Sequence, residues 1–312
     1  MAPERTESKL PHDHAERMTR ALLSLEGLSV GDALGQRFFC TDVEWLANVR
    51  AIPRPPWRYT DDTMMALSIV ETLDRFGFIE PDFLAARFAT RYQEDVNRGY
   101  GPTAIDILEE IGRGTPWQIA SSEAFHGEGS MGNGGAMRAG PIGAYFADDL
   151  REVVENARAS AMVTHAHPEG QAGAIAVAVA AAQAWRLRSS ATVLEPQSIL
   201  EVAVEYTPDG KTRKGIRTAS QVAYDKGIDT AVALLGNGTN IVSHDTVPFA
   251  LWCSARHLTD FAGAFWATVS GLGDVDTNCA IVGGIVALAV GREAIPTDWI
   301  ESREPLEFLS EH

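Results

Sequence analysis

Apolar residues recur at helical spacing along most of the chain. Between Asp82 and Asp95 they lie four or five positions apart, directly after Pro81, a residue well suited to the first turn of a helix. The same periodicity follows Thr103, which forms a weak capping signal with Asp106. Further helices are predicted over Met64–Phe76, Ala161–Leu187 with a break at Pro168, Gln221–Leu235, Leu258–Val269 and Thr277–Val290.

The remaining segments argue against a sheet. Strands and helices do not alternate as they do in a doubly wound fold. Val193–Tyr206 fits a strand and a helix equally well, and residues 53–57 and 127–135 are predicted loops. No repeat of constant period and no linker divides the sequence. We therefore expect one compact all-α domain, a helical bundle over residues 16–312, preceded by a flexible segment over residues 1–15.

The composition is typical of a protein that folds in water. Hydrophobic residues occupy 45% of the 312 positions, enough for a large core, and the longest apolar runs fall short of the roughly 20 residues of a membrane span. A formal net charge of −16 opposes general nucleic-acid binding, because the phosphates are also negative. Three scattered cysteines and the lack of an apolar leader predict a cytoplasmic protein without membrane association.

Two short clusters of carboxylates and hydroxyls stand directly before predicted helices. The first is Thr60-Asp61-Asp62, and the second, more than two hundred residues later, is Asp274-Val275-Asp276-Thr277. Each cluster taken alone fits helix capping by its threonine, with the carboxylates complementing the helix dipole. Capping needs only one oxygen per helix, however, and additional carboxylates would cost desolvation energy if they were buried without a partner.

A pair of divalent cations would account for both clusters. Four carboxylates in one site repel one another unless cations lie between them, and ligands that are all oxygen suit Mg²⁺ or Mn²⁺ better than Zn²⁺. Asp274 and Asp276 can converge only in a loop or first turn, and Gly273 permits such a bend. If the clusters meet, we expect a metal-dependent hydrolase with two ions about 3.5–4 Å apart.

Two further segments carry candidate binding groups. The loop from Gly129 to Gly135 either turns backbone N–H groups toward a pyrophosphate, aided by the next helix, or is a plain turn. Arg138 would neutralise a phosphate or pair with an acidic residue inside the protein. His165 and His167 lack a third nitrogen or sulfur ligand nearby, which argues against zinc, and His167 is expected to bond loop backbone.

Five segments in order resemble the ADP-ribosylglycohydrolase family, whose archetype is the dinitrogenase-reductase-activating glycohydrolase. The segments are Gly31-Asp32-Ala33-Leu34-Gly35, Tyr59-Thr60-Asp61-Asp62-Thr63, Gly132-Asn133-Gly134-Gly135-Ala136-Met137-Arg138, Thr164-His165-Ala166-His167-Pro168 and Gly273-Asp274-Val275-Asp276-Thr277. The resemblance covers most of the chain, from about Gly27 to Ala287. It implies an all-α bundle with a binuclear cleft for two Mg²⁺ ions, or Mn²⁺ in their place.

The resemblance also assigns residues to this cleft. The implied metal ligands are Thr60, Asp61, Asp62, Asp274, Asp276 and Thr277. Asp61, Asp62 and Asp276 are the implied catalytic residues, which handle the proton of an activated water. The implied substrate contacts are Asn97, Gly99, Tyr100, Ser130, Gly132, Asn133, Gly134 and His165. Tyr100 would stack on a base or pack in the interior, and Asp32 would either act in the site or only hold backbone.

The activity that the resemblance implies is hydrolysis at the anomeric carbon of the distal ribose, which removes ADP-ribose from a modified protein side chain. Arginine and serine are the expected acceptors. The partner would be an ADP-ribosylated protein or ADP-ribose, and a cognate ADP-ribosylating toxin or transferase is a further candidate. A catalytically weak ADP-ribose-binding or toxin-neutralising protein of the same fold is the alternative, and a phosphohydrolase that cleaves the pyrophosphate is a third hypothesis.

One position departs from the family pattern. Many members carry Glu four residues after the glycine that ends the first segment, where this chain has Phe39. Asp42 or Glu44 could replace that carboxylate if the loop is longer, or Phe38 and Phe39 could wall the acceptor pocket. The proton donor is therefore left open at this point.

Overall fold

The protein is built from helices. The computed structural model describes residues 10–39, 45, 48–189 and 195–308, and within them β pairing is limited to isolated bridges, Trp57 with Arg303 and Gly132 with Val242. The predicted all-α class is confirmed. The helices are α1 (His14–Gly35), α2 (Asp61–Phe76), α3 (Pro81–Glu94), α4 (Pro102–Gly112), α5 (Trp117–Gly127), α6 (Gly134–Met137), α7 (Gly140–Tyr145), α8 (Leu150–Met162), α9 (Pro168–Ser189), α10 (Gln197–Tyr206), α11 (Lys211–Ala219), α12 (Ile228–Leu235), α13 (Ser243–Arg256), α14 (Phe261–Val269), α15 (Val275–Val290) and α16 (Thr297–Ser302), with 3₁₀ turns at Gln36–Phe38 and Arg292–Ala294.

Helices α1 and α15 run antiparallel through the centre with their backbones in contact. A Cβ atom on Gly31 would lie 2.1 Å from the carbonyl oxygen of Cys279, and one on Gly27 would lie 2.3 Å from that of Gly283. Any larger residue at these positions would push the helices apart. Because Gly35 faces Asp276 in the same way, the end of α1 lies against the start of α15.

Helix α9 fills the core beside this pair. Its residues 174–182 have no solvent-accessible surface, and most of them are alanine. Small side chains let neighbouring helices come close, as the sequence suggested: a Cβ atom on Gly143 of α7 would lie 1.9 Å from the carbonyl oxygen of Ala178. This part of the core is therefore tightly packed.

The predicted helix Gln221–Leu235 is wrong in its first half. Helix α12 begins only at Ile228, after Gly227 at the N-cap position. Residues 220–227 form the turn that joins α11 to α12, and the indole N–H of Trp252 donates to the carbonyl of Val222 at 3.0 Å. A tertiary hydrogen bond therefore occupies a carbonyl that a continuous helix would need.

The starts of two helices also differ from prediction, because other residues occupy their N-cap positions. Helix α14 begins at Phe261 since the carboxylate of Asp260 accepts the N–H of Gly263 at 2.9 Å. The predicted capping signal at Thr103 is wrong: Gly101 holds the N-cap position of α4, and no side chain caps that helix.

The ends of the chain leave part of the predicted domain division untested. Residues 1–9 lie outside the described part, and α1 begins at His14, two residues before the predicted start of the domain. The ambiguous segment Val193–Tyr206 contains helix α10, and residues 193 and 194 lie outside the described ranges. Among the described residues, no helix combines the length and hydropathy that crossing a membrane requires.

Candidate functional site

The two carboxylate clusters meet where three helix ends converge. Side-chain oxygens of Asp32 at the end of α1, Asp62 at the start of α2 and Asp276 at the start of α15 all lie within 4.8 Å of one another. Gly273, which precedes the second cluster, has φ +73°, so the predicted bend there is confirmed. Thus the condition set by the sequence for a cation site, convergence of the clusters, is met in the fold.

Asp32 holds the first cluster in position through hydrogen bonds. Its carboxylate accepts the backbone N–H of Thr60 at 2.9 Å and that of Thr63 at 3.1 Å, together with both threonine hydroxyls at 2.8 and 2.5 Å. Thr60 stands at the N-cap position of α2, but its side chain makes no capping bond. The residue that caps α2 therefore comes from α1, which is the backbone-holding role weighed for Asp32.

The cluster carries more buried carboxylate than its hydrogen bonds satisfy. Burial, and then the neighbouring carboxylate of Asp32, raises the pKa of Asp61 to about 8 and raises that of Asp62 well above its usual range. Burial, and then the carboxylate of Asp274, raises the pKa of Asp276 well above its usual range. Burial also raises the pKa of Asp32 to about 6, although the hydrogen bonds that Asp32 accepts from Thr60 and Thr63 oppose this shift. Among the described residues, Asp62 Oδ1 has no hydrogen-bond partner. An all-oxygen donor set with an orphaned oxygen fits a hard divalent cation.

The second cluster is tied to the glycine loop. The side-chain amide of Asn133 donates to Asp274 Oδ2 at 2.6 Å and to the hydroxyl of Thr246 at 3.0 Å. On the other side, the N–H of Asp274 donates to the carbonyl of Asn237 at 3.2 Å. The amide of Asn237 donates to Gly271 at 2.9 Å. Asp274 is therefore held from two loops at once.

The glycine loop is ordered by a segment that sequence reasoning missed, residues 236–243. The N–H of Asn133 donates to Ile241 at 3.3 Å, and the hydroxyl of Ser243 donates to the carbonyl of Gly132 at 2.9 Å. The N–H of Gly132 is also occupied, by the hydroxyl of Ser130 at 3.1 Å. The Gly-Asn-Gly string at 236–238 was a turn signal that could have drawn attention to this segment.

The glycine loop consequently offers fewer free N–H groups to a pyrophosphate than predicted. Two N–H groups of the loop, those of Gly132 and Asn133, already have acceptors inside the protein. The helix that follows, α6, has only four residues, so its dipole adds little. The loop is distinguished by its close packing on His165, because Cβ atoms on Gly132 and Gly134 would lie 3.1 and 2.9 Å from the ring of that residue.

Arg138 takes neither of its two predicted roles. Its guanidinium is fully buried and donates to the carbonyl of Ser160 at 2.8 Å and to the hydroxyl of Thr164 at 2.9 Å. It also lies 4.4 Å from the ring centroid of Phe88. Burial lowers its pKa to about 9, opposed by the charge of Asp61. The structure gives this cation no carboxylate partner in direct contact among the described residues, so its charge acts on Asp61 and His165 from a distance.

The two predicted histidines differ in their surroundings. His165 is buried beside the glycine loop, and burial, followed by the charge of Arg138, lowers its pKa to about 3. The ring nitrogen Nδ1 of His167 accepts the N–H of Glu169 at 3.0 Å, which is the backbone-bonding role expected for it. Only His165 therefore faces the loop assigned to substrate.

The segment 97–100 forms a wall beside Asp61. The N–H of Asp61 donates to the carbonyl of Arg98 at 2.7 Å, and a Cβ atom on Gly99 would lie 3.6 Å from Asp61 Oδ1. Tyr100 packs edge-on against Tyr92 with 5.2 Å between ring centroids and only 6% of its surface exposed, which favours packing over stacking on a base. Asn97 is exposed, and its substrate role stays a prediction.

Glu304 in the C-terminal segment holds this wall in position, a contact that the sequence did not reveal. Glu304 accepts the backbone N–H of Tyr59 at 2.9 Å and a close hydrogen bond from Arg98. Arg98 in turn donates to the carbonyl of Tyr59 at 2.9 Å. The carboxylate of Glu304 thus connects Tyr59, the residue before the first cluster, to Arg98 in the 97–100 wall.

The departure at Phe39 lies at the edge of the described structure. Phe39 directly follows the 3₁₀ turn after α1, and 52% of its surface is exposed. Phe38, by contrast, is buried against Phe265 and Trp266 in the core, so it does not wall a pocket. Asp42 and Glu44 lie outside the described residues.

Comparison with known proteins gives a consistent result. The sequence matches the model of the ADP-ribosylglycohydrolase family over residues 13–311. It is 29% identical to the ADP-ribosylhydrolase ARH3 of Homo sapiens over 94% of this chain and 91% of the relative. It is 31% identical to ARH3 of Xenopus tropicalis over 79% and 77%.

A solved structure described as an ADP-ribosylglycohydrolase-related protein complex shares the fold. It superposes with a TM-score of 0.65 at 25% identity, covering 93% of this chain and 94% of that one. The helix bundle, the converging carboxylates and the sequence match all lead to one conclusion. The chain belongs to the ADP-ribosylglycohydrolase family and is a hydrolase of the class that removes ADP-ribose.

Proposed function

We propose that this protein is a Mg²⁺-dependent hydrolase that removes ADP-ribose from a modified arginine or serine side chain of a protein. The observation that supports it most is the convergence of Asp32, Asp62 and Asp276 within 4.8 Å, with Asp62 Oδ1 left without a partner among the described residues. Such a group of carboxylates is costly to bury unless positive charge accompanies it.

The residues that would hold two ions are those of both clusters. Asp62 and Asp276 lie at the buried end, whereas Asp61 and Asp274 are partly exposed toward the cleft. Thr60 and Thr277 add hydroxyl oxygens of the kind that Mg²⁺ accepts. When bound, the ions would supply Lewis acidity and lower the pKa of a coordinated water.

The remaining chemistry falls to side chains of this chain. Asp61 is the partly exposed carboxylate beside the 97–100 wall, a position from which it could accept the proton of an activated water. Asn133 fixes Asp274 on the floor of the glycine loop. The loop lies close to His165, since a Cβ atom on Gly132 or Gly134 would crowd its ring, and we expect the distal ribose to bind where this loop and His165 meet.

The decisive experiment offers arginine-linked and serine-linked ADP-ribose conjugates with Mg²⁺, with Mn²⁺ and with EDTA. We expect one linkage to be hydrolysed with release of intact ADP-ribose, and we expect EDTA to abolish that release. Asp61→Ala and Asp276→Ala should lose turnover and metal-induced thermal stabilisation together. Asp229→Ala, which removes an exposed first-turn aspartate of α12, is the matched control and should behave like the unmodified protein.

Two outcomes would favour the other hypotheses. An ADP-ribose-binding or toxin-neutralising protein would hold its ligand without multiple turnover when the protein is substoichiometric to the conjugate. A phosphohydrolase would release AMP and a ribose phosphate in place of ADP-ribose. Hydrolysis of either conjugate that survives chelation would contradict the metal-dependent mechanism.

A further inference from the structure

Three buried polar side chains form a row that ends in the cleft. Arg138 donates to the hydroxyl oxygen of Thr164 at 2.9 Å, and the same oxygen lies 2.7 Å from Nδ1 of His165. All three residues are shielded from solvent: Arg138 has no exposed surface, Thr164 is 1% exposed and His165 is 7% exposed. Water therefore does not compete for these hydrogen bonds.

The direction of each hydrogen bond in the row follows from counting protons. A guanidinium can only donate, so Thr164 Oγ1 must accept from Arg138. A threonine hydroxyl has a single proton, and among the described residues the hydrogen-bond neighbour left to accept it is Nδ1 of His165. If Nδ1 carried a proton instead, the hydroxyl proton would be buried without an acceptor, which is costly. We therefore assign Nδ1 as the unprotonated ring nitrogen.

The proton of a neutral His165 is consequently on Nε2. Protonation of both nitrogens is opposed by burial and by the nearby charge of Arg138, which together lower the pKa of His165 to about 3. The second nitrogen lies in the gap between two glycines: Cβ atoms on Gly132 and Gly134 would be 3.1 and 3.2 Å from Nε2. The absence of side chains at both positions leaves Nε2 accessible to a ligand atom.

We propose that Arg138 and Thr164 are positioning residues that lock His165 as the Nε2–H tautomer, a permanent hydrogen-bond donor to an oxygen atom of the substrate. His165 would then bind and orient the distal ribose or its phosphate and would not exchange protons with the reacting centre. The identity of the acceptor oxygen rests on the proposed function, whereas the tautomer is a property of the free protein.

The tautomer can be tested without any substrate. Nitrogen-15 NMR of the histidine rings distinguishes a pyrrole-type from a pyridine-type nitrogen at each position, and His165→Gln identifies the signal. We expect pyrrole-type Nε2 and pyridine-type Nδ1 in the unmodified protein, in Thr164→Ser, which keeps the hydroxyl, and in Ser160→Ala. Ser160 is the matched control because its hydroxyl has no partner among the described residues and only its carbonyl holds Arg138.

Thr164→Val has the same shape as threonine and removes only the hydroxyl. We expect mixed tautomers in that variant and a Kd for ADP-ribose raised about tenfold, the usual effect of one lost hydrogen bond. His165→Gln places an amide N–H where Nε2–H was and should bind ADP-ribose better than His165→Asn, which mimics Nδ1 instead. If Thr164→Val fails to fold, the glutamine and asparagine pair still tests the donor position.

The possible results separate the two levels of the proposal. A pyrrole-type Nδ1 in the unmodified protein, or equal binding by the glutamine and asparagine variants, would overturn the assignment of His165 as an Nε2–H donor. A pyridine-type Nδ1 together with no affinity for ADP-ribose would instead overturn the proposed substrate and leave the tautomer assignment supported.

Discussion

The side-chain amide of Asn133 donates a hydrogen bond to Asp274 at 2.6 Å, and this contact joins the glycine loop to the second carboxylate cluster. The two residues are 141 positions apart. A donor is required at position 133 because the group facing it is a carboxylate. The glycine loop and the proposed cation site are therefore mechanically coupled.

Asn133→Asp should weaken cation binding more than Asn133→Ala. The aspartate puts a second negative charge against Asp274, and like charges in a buried site raise the cost of ionising both. We expect the Kd for Mn²⁺, measured by electron paramagnetic resonance, to rise about tenfold in the alanine variant, the equivalent of about 1.4 kcal/mol. A larger effect is expected for aspartate, so an aspartate variant that binds Mn²⁺ as the unmodified protein does would contradict the coupling.

Asp32→Asn should destabilise the fold even without metal. The carboxylate accepts two backbone N–H groups and two hydroxyls, and an amide at this position would turn its own N–H groups toward those donors. We expect a loss of about 2–4 kcal/mol in urea unfolding with EDTA present, typical of a broken buried network. Asp229→Asn, at an exposed position, serves as the control and should stay within about 0.5 kcal/mol.

The stabilisation given by Mg²⁺ should grow between pH 6.5 and 8. In the folded protein Asp61 has its pKa raised from 3.8 to about 8, so the folded state keeps a proton that the unfolded chain has already lost. Its contribution to the stability of the metal-free protein is thus lost progressively from about pH 4 to about pH 8, and the last part of that loss falls between pH 6.5 and 8. His165, whose pKa is lowered to about 3, affects stability only below pH 6.5 and does not interfere.

Because cations bind the deprotonated carboxylates, Mg²⁺ should reverse this loss. Thermal unfolding with Mg²⁺ and with EDTA at each pH measures the effect as a difference in Tm. Asp61→Asn cannot titrate and should show a flatter dependence on pH. A Mg²⁺-induced shift of equal size at pH 6.5 and pH 8 would argue against titration of the cluster.

Gly31→Ala should be among the most destabilising single-methyl additions in this protein. The new Cβ atom would lie 2.1 Å from the carbonyl oxygen of Cys279, and neither backbone can move without shifting a whole helix. We expect a loss of about 3 kcal/mol or more, at the upper end of overpacking effects. Gly101→Ala adds a methyl group where no atom lies within 4 Å, and urea unfolding should show little change there.

Glu304→Ala should lower turnover although residue 304 does not enter the cleft. The carboxylate holds the N–H of Tyr59, which directly precedes the first cluster, and the guanidinium of Arg98, which belongs to the 97–100 wall. Glu304→Gln keeps one carbonyl acceptor and should restore part of the activity. Equal kcat/KM for the alanine variant and the unmodified protein would show that the wall is positioned without this brace.

The sequence predicted the helical class and marked the two clusters because both leave local signals, whereas the meeting of the clusters was a condition that only the family resemblance implied. Helical periodicity marks each amphipathic segment, and a run such as Thr60-Asp61-Asp62 is conspicuous before an apolar helix. The sequence left open whether Asp32 acts in the site or holds backbone. The cap that it provides for α2 could not be predicted, since it depends on contacts between residues 28 to 31 positions apart. Glu304 was not predicted, because its partners are more than 200 residues away.

Arg138 shows the limit of reading charge from sequence. An arginine after a glycine loop is typical of phosphate recognition, and its true surroundings are the carbonyl of Ser160, the hydroxyl of Thr164 and the face of Phe88. None of these carries a charge, so no acidic partner could have been found by inspecting the sequence. Only the fold shows that the guanidinium lies on the Nδ1 side of His165, in the protein interior, and not on the side of the glycine loop.

The glycine contact between α1 and α15 determines how stiff the cluster is. Elsewhere in a protein, repelling groups can be relieved when intervening side chains change rotamer. Here main chain rests on main chain at Gly27 and Gly31, within five residues of Asp32, so no compressible layer separates the two helices next to the carboxylates. Asp32 and Asp276 are thus held at a nearly fixed separation, and adjustment to cations of different radius is left to Asp61, Asp274 and the loops that carry them.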